Sequence, residues 1–145
     1  MSTSHSRGFT LVELMIVIVI IGILAAIAIP NFITLRHRAQ EGRIKSNMHA
    51  VQLVMEDFSV QNDGNYPTSS SSTVPDGSTL PELCPGGHYP INPFTNAVSV
   101  VQFNQDPTHG YPGELGFNPA ELRNYRLKGN GSLGDTLTLV LTTGQ

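Results

Sequence analysis

Three groups of side chains in this 145-residue sequence could do chemistry: an acid inside an apolar run, a glycine-rich string and a small basic cluster. The acid is Glu13, which stands before a stretch that is apolar or Gly at every position from Leu14 to Ile29. A carboxylate at bilayer depth is costly unless something pairs with it, so Glu13 calls for a partner. The glycine string is "GNGSLG", where Gly129, Gly131 and Gly134 satisfy the G-x-G-x-x-G dinucleotide pattern. That fingerprint needs a following helix whose N-terminus faces a pyrophosphate, and here strand-like "DTLTLVL" follows, so the glycines read as a hairpin turn. The basic group is Arg123, Arg126 and Lys128 with Tyr125 between them, a weak signal for contact with an anion such as DNA or polysaccharide.

Catalytic constellations are missing from the sequence. There is no G-x-S-x-G elbow, and His37, His49, His88 and His109 never fall at the i, i+3 or i, i+4 spacing that puts two metal ligands on one helical face. The expectation is a protein that is not an enzyme. Formal net charge is −3, which excludes strong bulk attraction to nucleic acid. Only 13% of residues are charged, low for a freely soluble chain and suited to one that hides surface in a membrane or an assembly. Cys84 is the single cysteine, so no intrachain disulfide can form, and it reads as a small buried hydrophobe.

The elements that must position these groups follow from periodicity. Phe9 to Ile29 is long enough to cross a hydrocarbon layer of ~30 Å as a helix rising ~1.5 Å per residue. Gly22 and Pro30 interrupt this half, and a segment between them could unwind when copies pack together. Beyond Pro30 the pattern becomes amphipathic, with Ile44, Met48, Val51, Met55 and Phe58 at alternating spacings of four and three. Asn62-Asp63-Gly64 supplies a stop, and Pro67 prevents continuation. After that the composition turns to Pro, Gly, Ser, Thr and Asn, and "TSSSST" (Thr68 to Thr73) reads as a solvated loop. Strand character appears within Tyr89 to Phe103, at Tyr125 to Lys128 and at Thr136 to Leu141. The expected fold class is α+β: one long N-terminal helix, apolar then amphipathic, packed on a small antiparallel sheet of about three strands.

The N-terminal residues carry a resemblance. Arg7-Gly8 followed by Phe9-Thr10-Leu11-Val12-Glu13 resembles the prepilin peptidase site of type IV pilins and of type II secretion pseudopilins. The resemblance implies a leader, residues 1–8, cut between Gly8 and Phe9, with Phe9 then N-methylated. It implies a membrane and filament-core helix over 9–30, its amphipathic continuation over 31–61 and a β-rich head over 62–145. It also gives Glu13 a partner, the Phe9 amine of a neighbouring subunit in a helical filament. Further implied partners are membrane lipid before assembly, an inner-membrane platform, a cytoplasmic assembly ATPase and minor pilins or pseudopilins. Arg36, Arg38, Arg43 and Lys45 follow the apolar run against Arg7 before it, a count that would place the head in the cytoplasm. The resemblance implies the opposite orientation and outweighs that count.

Two branches stay open. Major pseudopilins are similar in having a Pro-containing turn like Asn92-Pro93-Phe94-Thr95-Asn96 and a C-terminal glycine/aspartate loop that binds calcium, for which Asp135 is the nearest equivalent. Asp106 and Glu114 are the other carboxylates on offer, and their spacing from Asp135 matches no recognised calcium loop, so no cofactor is expected. The paired cysteines of many type IV pilins are absent as well. The sequence leans slightly to the pseudopilin, a filament subunit that helps export proteins, with a pilus for adhesion, twitching motility or DNA uptake as the alternative.

Overall fold

The computed structural model describes residues 8–121 and 124–143. The chain divides into two compact units, residues 1–36 and 37–145, and helix α1 (Leu11–Gln61) contributes to both. In the first unit α1 begins two residues after Phe9 and continues unbroken through Gly22 and Pro30. Pro30 has no N–H to return to the preceding turn, and its own carbonyl accepts a second bond from Thr34 Oγ1 at 3.1 Å. Between Leu11 and Leu35 no side chain is buried, and the exposed set runs through Ile16, Val19, Ile23 and Ile27. Such a surface has to be covered by lipid or by other proteins. By length and composition this is the one membrane-crossing candidate among the described residues.

In the second unit the amphipathic stripe is the floor of the core. Ile44, Met48, Val51, Met55 and Phe58, all expected on one face, are buried, joined by Val54, Gln52 and Ser59. The helix ends where expected: Asp63 and Gly64 take positive φ of 55° and 83°, and Gly64 N donates to Ser59 O at 2.9 Å, closing the last turn. Gln40 and Asn47 side chains donate to the carbonyls of Pro93 and Ile91, fastening α1 to the Pro-containing turn.

The sheet departs from expectation. It has four strands, β1 (Val101–Phe103), β2 (Leu115–Glu121), β3 (Asn124–Gly129) and β4 (Leu141–Thr142), in the order β1-β2-β3-β4. The first pair is parallel, Val101 opposite Leu115 and Phe103 opposite Phe117, so the sheet is mixed. Residues 104–114 form the crossover that a parallel pair requires. β2 was not anticipated because "LGFNPAE" carries Gly, Asn and Pro, all poor strand formers. Two of the three have a reason: a Cβ on Gly116 would lie 2.4 Å from Pro107 N, so the crossover passes directly over this strand, and Pro119 sits at the register shift between Pro119 and Glu121.

The β3–β4 hairpin is antiparallel, with Leu127 opposite Leu141. Of the expected strand Thr136 to Leu141, only its last residue joins the ladder. Leu137 and Leu139 still turn toward the core while Thr136 and Thr138 face out. Above the helical stripe, Phe117 and Tyr125 stack at 5.1 Å, and Tyr66 meets Tyr125 edge-on at 4.7 Å.

Candidate functional site

Gly8 and Phe9 precede the helix in irregular backbone. Phe9 is 86% exposed, and Gly8 is exposed as well. The Gly8-Phe9 junction is therefore exposed and lies outside regular secondary structure. Leader residues 1–7 lie outside the described residues.

Next to the junction, Glu13 has partners in its own chain. Thr10 N and Thr10 Oγ1 each donate to Glu13 Oε2 at 2.8 Å, and Glu13 N donates to Thr10 Oγ1 at 3.2 Å. This is a reciprocal capping box: the threonine at the helix start and the acid three residues on satisfy each other's orphan backbone donors. The T-x-x-E spacing carries that signal in the sequence, and Thr10 is the residue that reading for charge alone overlooks. The box also holds the carboxylate beside the residue that follows Phe9.

Of the basic cluster, Arg123 lies outside the described residues. Arg126 and Lys128 share Asp106, with Lys128 Nζ 2.7 Å and Arg126 Nη2 4.0 Å from its carboxylate oxygens. An acid of the crossover thus partly neutralises the two cations.

The three carboxylates weighed for calcium do not converge. Asp106 faces Lys128 and Arg126, and Asp135 Oδ1 lies 2.8 Å from His109 Nε2. Glu114 is buried and accepts from the Gln102 side-chain amide and from Thr108 N. Among the described residues no three His, Cys, Asp or Glu side chains form a metal-binding group. Calcium asks for six to eight oxygens, and two carbonyls of the crossover, Thr108 O and Tyr111 O, accept from the side-chain amide of Asn130. The donor set does not fit the ion.

Gly129 ends β3, Gly131 and Gly134 lie in the β3–β4 connection, and among the described residues no helix follows them. Ser132 donates through N and Oγ to Glu41 Oε1, tying this turn to α1. Cys84 is buried, and burial raises its thiol pKa to about 11. Sequence reading also missed Glu56, whose carboxylate accepts from Tyr66 Oη at 2.7 Å and from Tyr125 Oη at 2.8 Å.

Residues 3–29 match the model described as "Prokaryotic N-terminal methylation motif". The chain is 30% identical over 117 residues to the type II secretion system core protein G of Escherichia coli, covering 79% of each protein. It is 36% identical to the core protein G of Klebsiella michiganensis, across 76% of this chain and 73% of that one. With the type IV major pilin protein PilA of Myxococcus xanthus it shares 52% identity over 59 residues, which are 41% of this chain and 27% of the pilin. No solved structure gives a significant match.

Proposed function

Because the chain belongs to the family of type II secretion core protein G and the type IV major pilins, a family of filament subunits, we propose that it is the major pseudopilin of a type II secretion system. The observation that carries this reading is the pairing of an accessible Gly8-Phe9 junction with a helix whose apolar surface is uncovered from Leu11 to Leu35. In the membrane that surface meets lipid; in a filament it meets the same surface on other copies. A prepilin peptidase cuts between Gly8 and Phe9, Phe9 is methylated, and the free amine of one subunit pairs with Glu13 of the next. Such a pair tolerates burial because the charges are opposite, and it fixes register along the filament. The stretch from Gly22 to Pro30 gives way as helices pack.

On this reading the head lies on the periplasmic side of the inner membrane. Polymerisation is driven by a membrane platform and a cytoplasmic ATPase, with minor pseudopilins at the tip, and the growing fibre pushes exported proteins outward. The protein's work is structural and mechanical. Matches to core protein G extend over about three quarters of both chains, whereas the match to the Myxococcus pilin stops at 59 residues. Identity within those 59 residues is higher, and that supports the second reading, a type IV pilin for adhesion, twitching motility or DNA uptake.

Electron microscopy of sheared surface fractions, with mass spectrometry of the N-terminus, tests both. A chain starting at methylated Phe9, confined to membranes at native expression, is the expected result. Long surface filaments of the same chain would establish the pilin reading, and an intact Met1 would overturn both.

A further inference from the structure

The side chain that joins the crossover to the β3–β4 turn is neutral. Asn130 is fully buried, and its Nδ2 donates to Thr108 O at 2.7 Å and to Tyr111 O at 3.1 Å. Its Oδ1 accepts from Thr136 Oγ1 at 3.4 Å. The main chain repeats the connection: Asn130 N donates to Glu114 O at 3.0 Å and Gly113 N to Asn130 O at 3.1 Å. A carbonyl can only accept, so the amide edge facing Thr108 O and Tyr111 O has to be the NH2, and both of its hydrogens are used. Two carbonyl dipoles from separate residues of one loop, drawn to one buried point, are what a hard divalent cation also produces. Here a carboxamide nitrogen stands at that point. The nearby acids are engaged elsewhere, Asp135 with His109 and Glu114 with Gln102 and Thr108.

We propose that the Asn130 carboxamide is a built-in substitute for a bound cation, locking the 104–114 crossover to the β3–β4 turn so that the head is stable without calcium. The inference concerns stability and does not rest on the filament reading. Glu114, whose main-chain carbonyl and side chain both belong to the lock, makes the crossover's last turn part of the same unit. An aspartate at position 130 would set a carboxylate against two carbonyl oxygens, an arrangement that repels itself unless a cation enters.

The test is thermal unfolding of the full-length chain in non-ionic detergent, in excess EGTA and in millimolar calcium chloride, followed by near-ultraviolet circular dichroism. For the native sequence the two melting temperatures are expected to coincide. Asn130→Ala leaves both carbonyls unpaired, and its melting temperature is expected to fall by ~5–15 °C equally in both conditions. Asn130→Asp is expected to fall further in EGTA and to recover with added calcium in a saturable way. A native chain that loses several degrees in EGTA and regains them with calcium would overturn the proposal. So would a folded Asn130→Asp that ignores calcium, or an Asn130→Ala that melts like the native chain. Should Asn130→Asp not fold at all, the native and Asn130→Ala curves decide.

Discussion

Glu56 is the carboxylate on which two buried tyrosines close, and its replacement by Ala should cost the head a large share of its stability. Tyr125 is fully buried and Tyr66 is 6% exposed; their hydroxyls donate to the two oxygens of Glu56 at 2.8 and 2.7 Å. Burial raises the pKa of both phenols, and the carboxylate adds to the shift, so both remain protonated donors throughout the neutral range. A hydrogen bond to a charged acceptor contributes ~1.5–3 kcal/mol. Tyr66 lies at the edge and recovers part of its loss from water, whereas Tyr125 cannot. Together these give a cost of about 3–4 kcal/mol for Glu56→Ala, against a typical total of ~5–15 kcal/mol. Tyr125→Phe removes one of these bonds and should cost about 1.5–3 kcal/mol. Because the two changes delete the same bond, the double variant should fall short of the sum by ~1–2 kcal/mol. Denaturant unfolding of the full chain in detergent, read by near-ultraviolet circular dichroism, measures all three. The chain has four tyrosines and no tryptophan, and two of the four, Tyr66 and Tyr125, belong to this cluster. A cost below ~1 kcal/mol for Glu56→Ala, or strict additivity, would refute the reasoning.

Burial raises the Cys84 thiol from its ordinary 9.0 to about 11, so the fold favours the neutral form. Its contribution is complete below about pH 9 and is lost as pH rises toward about 11; melting temperatures over that range should fall more steeply for the native chain than for Cys84→Ala. At pH 8 a disulfide reagent should label the thiol only after denaturation, and rapid labelling of the native chain would contradict the burial argument. Gly116→Ala drives a Cβ to 2.4 Å from Pro107 N, a backbone atom, and should destabilise by several kcal/mol or prevent folding, as melting would show. Gly42→Ala, on an exposed helical position with nothing within 4 Å, should instead raise stability by ~0.5–1 kcal/mol. Glu13→Ala should leave the protein in the membrane and abolish filament incorporation, and normal filaments carrying Glu13→Gln would show that its charge is not used.

The helix was legible because its signals are local and repeated. Sixteen consecutive apolar or glycine positions and a 4-3-4-3 stripe each specify one conformation, and every residue of that stripe is buried. The sheet was less legible because its strands are short and their partners distant. β1 has three residues and β4 two, lengths at which alternation carries almost no information. β2 is specified by what crosses it: Gly116 is there because Pro107 lies above, a contact between residues that periodicity does not connect. The antiparallel expectation failed for the same reason, since nothing in residues 104–114 has the helical pattern that usually announces a parallel crossover. Gly8, Phe9 and Glu13 were singled out by their motif, which lies within the matched residues 3–29. Asn130 and Glu56 were not, because an isolated Asn or Glu acquires meaning only from the carbonyls or phenols that folding brings to it.

The N-terminal capping box sharpens what Glu13 must do. A threonine three residues before either Glu or Gln closes such a box, because the amide oxygen of Gln accepts from the same Thr10 N–H. Helix initiation alone therefore does not call for a charge in a segment that enters the membrane, where charge is disfavoured. The box instead holds the Glu13 carboxylate against Thr10, the residue after Phe9, on a helix end that carries positive partial charge. On the proposed reading, cleavage then turns the amide nitrogen of Phe9 into a cationic amine, and a neighbouring copy can present that amine to a carboxylate already oriented by Thr10. A positioned acceptor loses less conformational entropy when the pair forms than a freely rotating one. Thr10 then becomes a positioning residue for assembly. Thr10→Val, which keeps the apolar character and deletes both hydroxyl bonds, should reduce incorporation at low expression while leaving Glu13 able to rescue it when subunits are abundant. Equal loss at every expression level would mean that Thr10 and Glu13 act as one inseparable contact, and no loss at any level would confine the box to starting the helix.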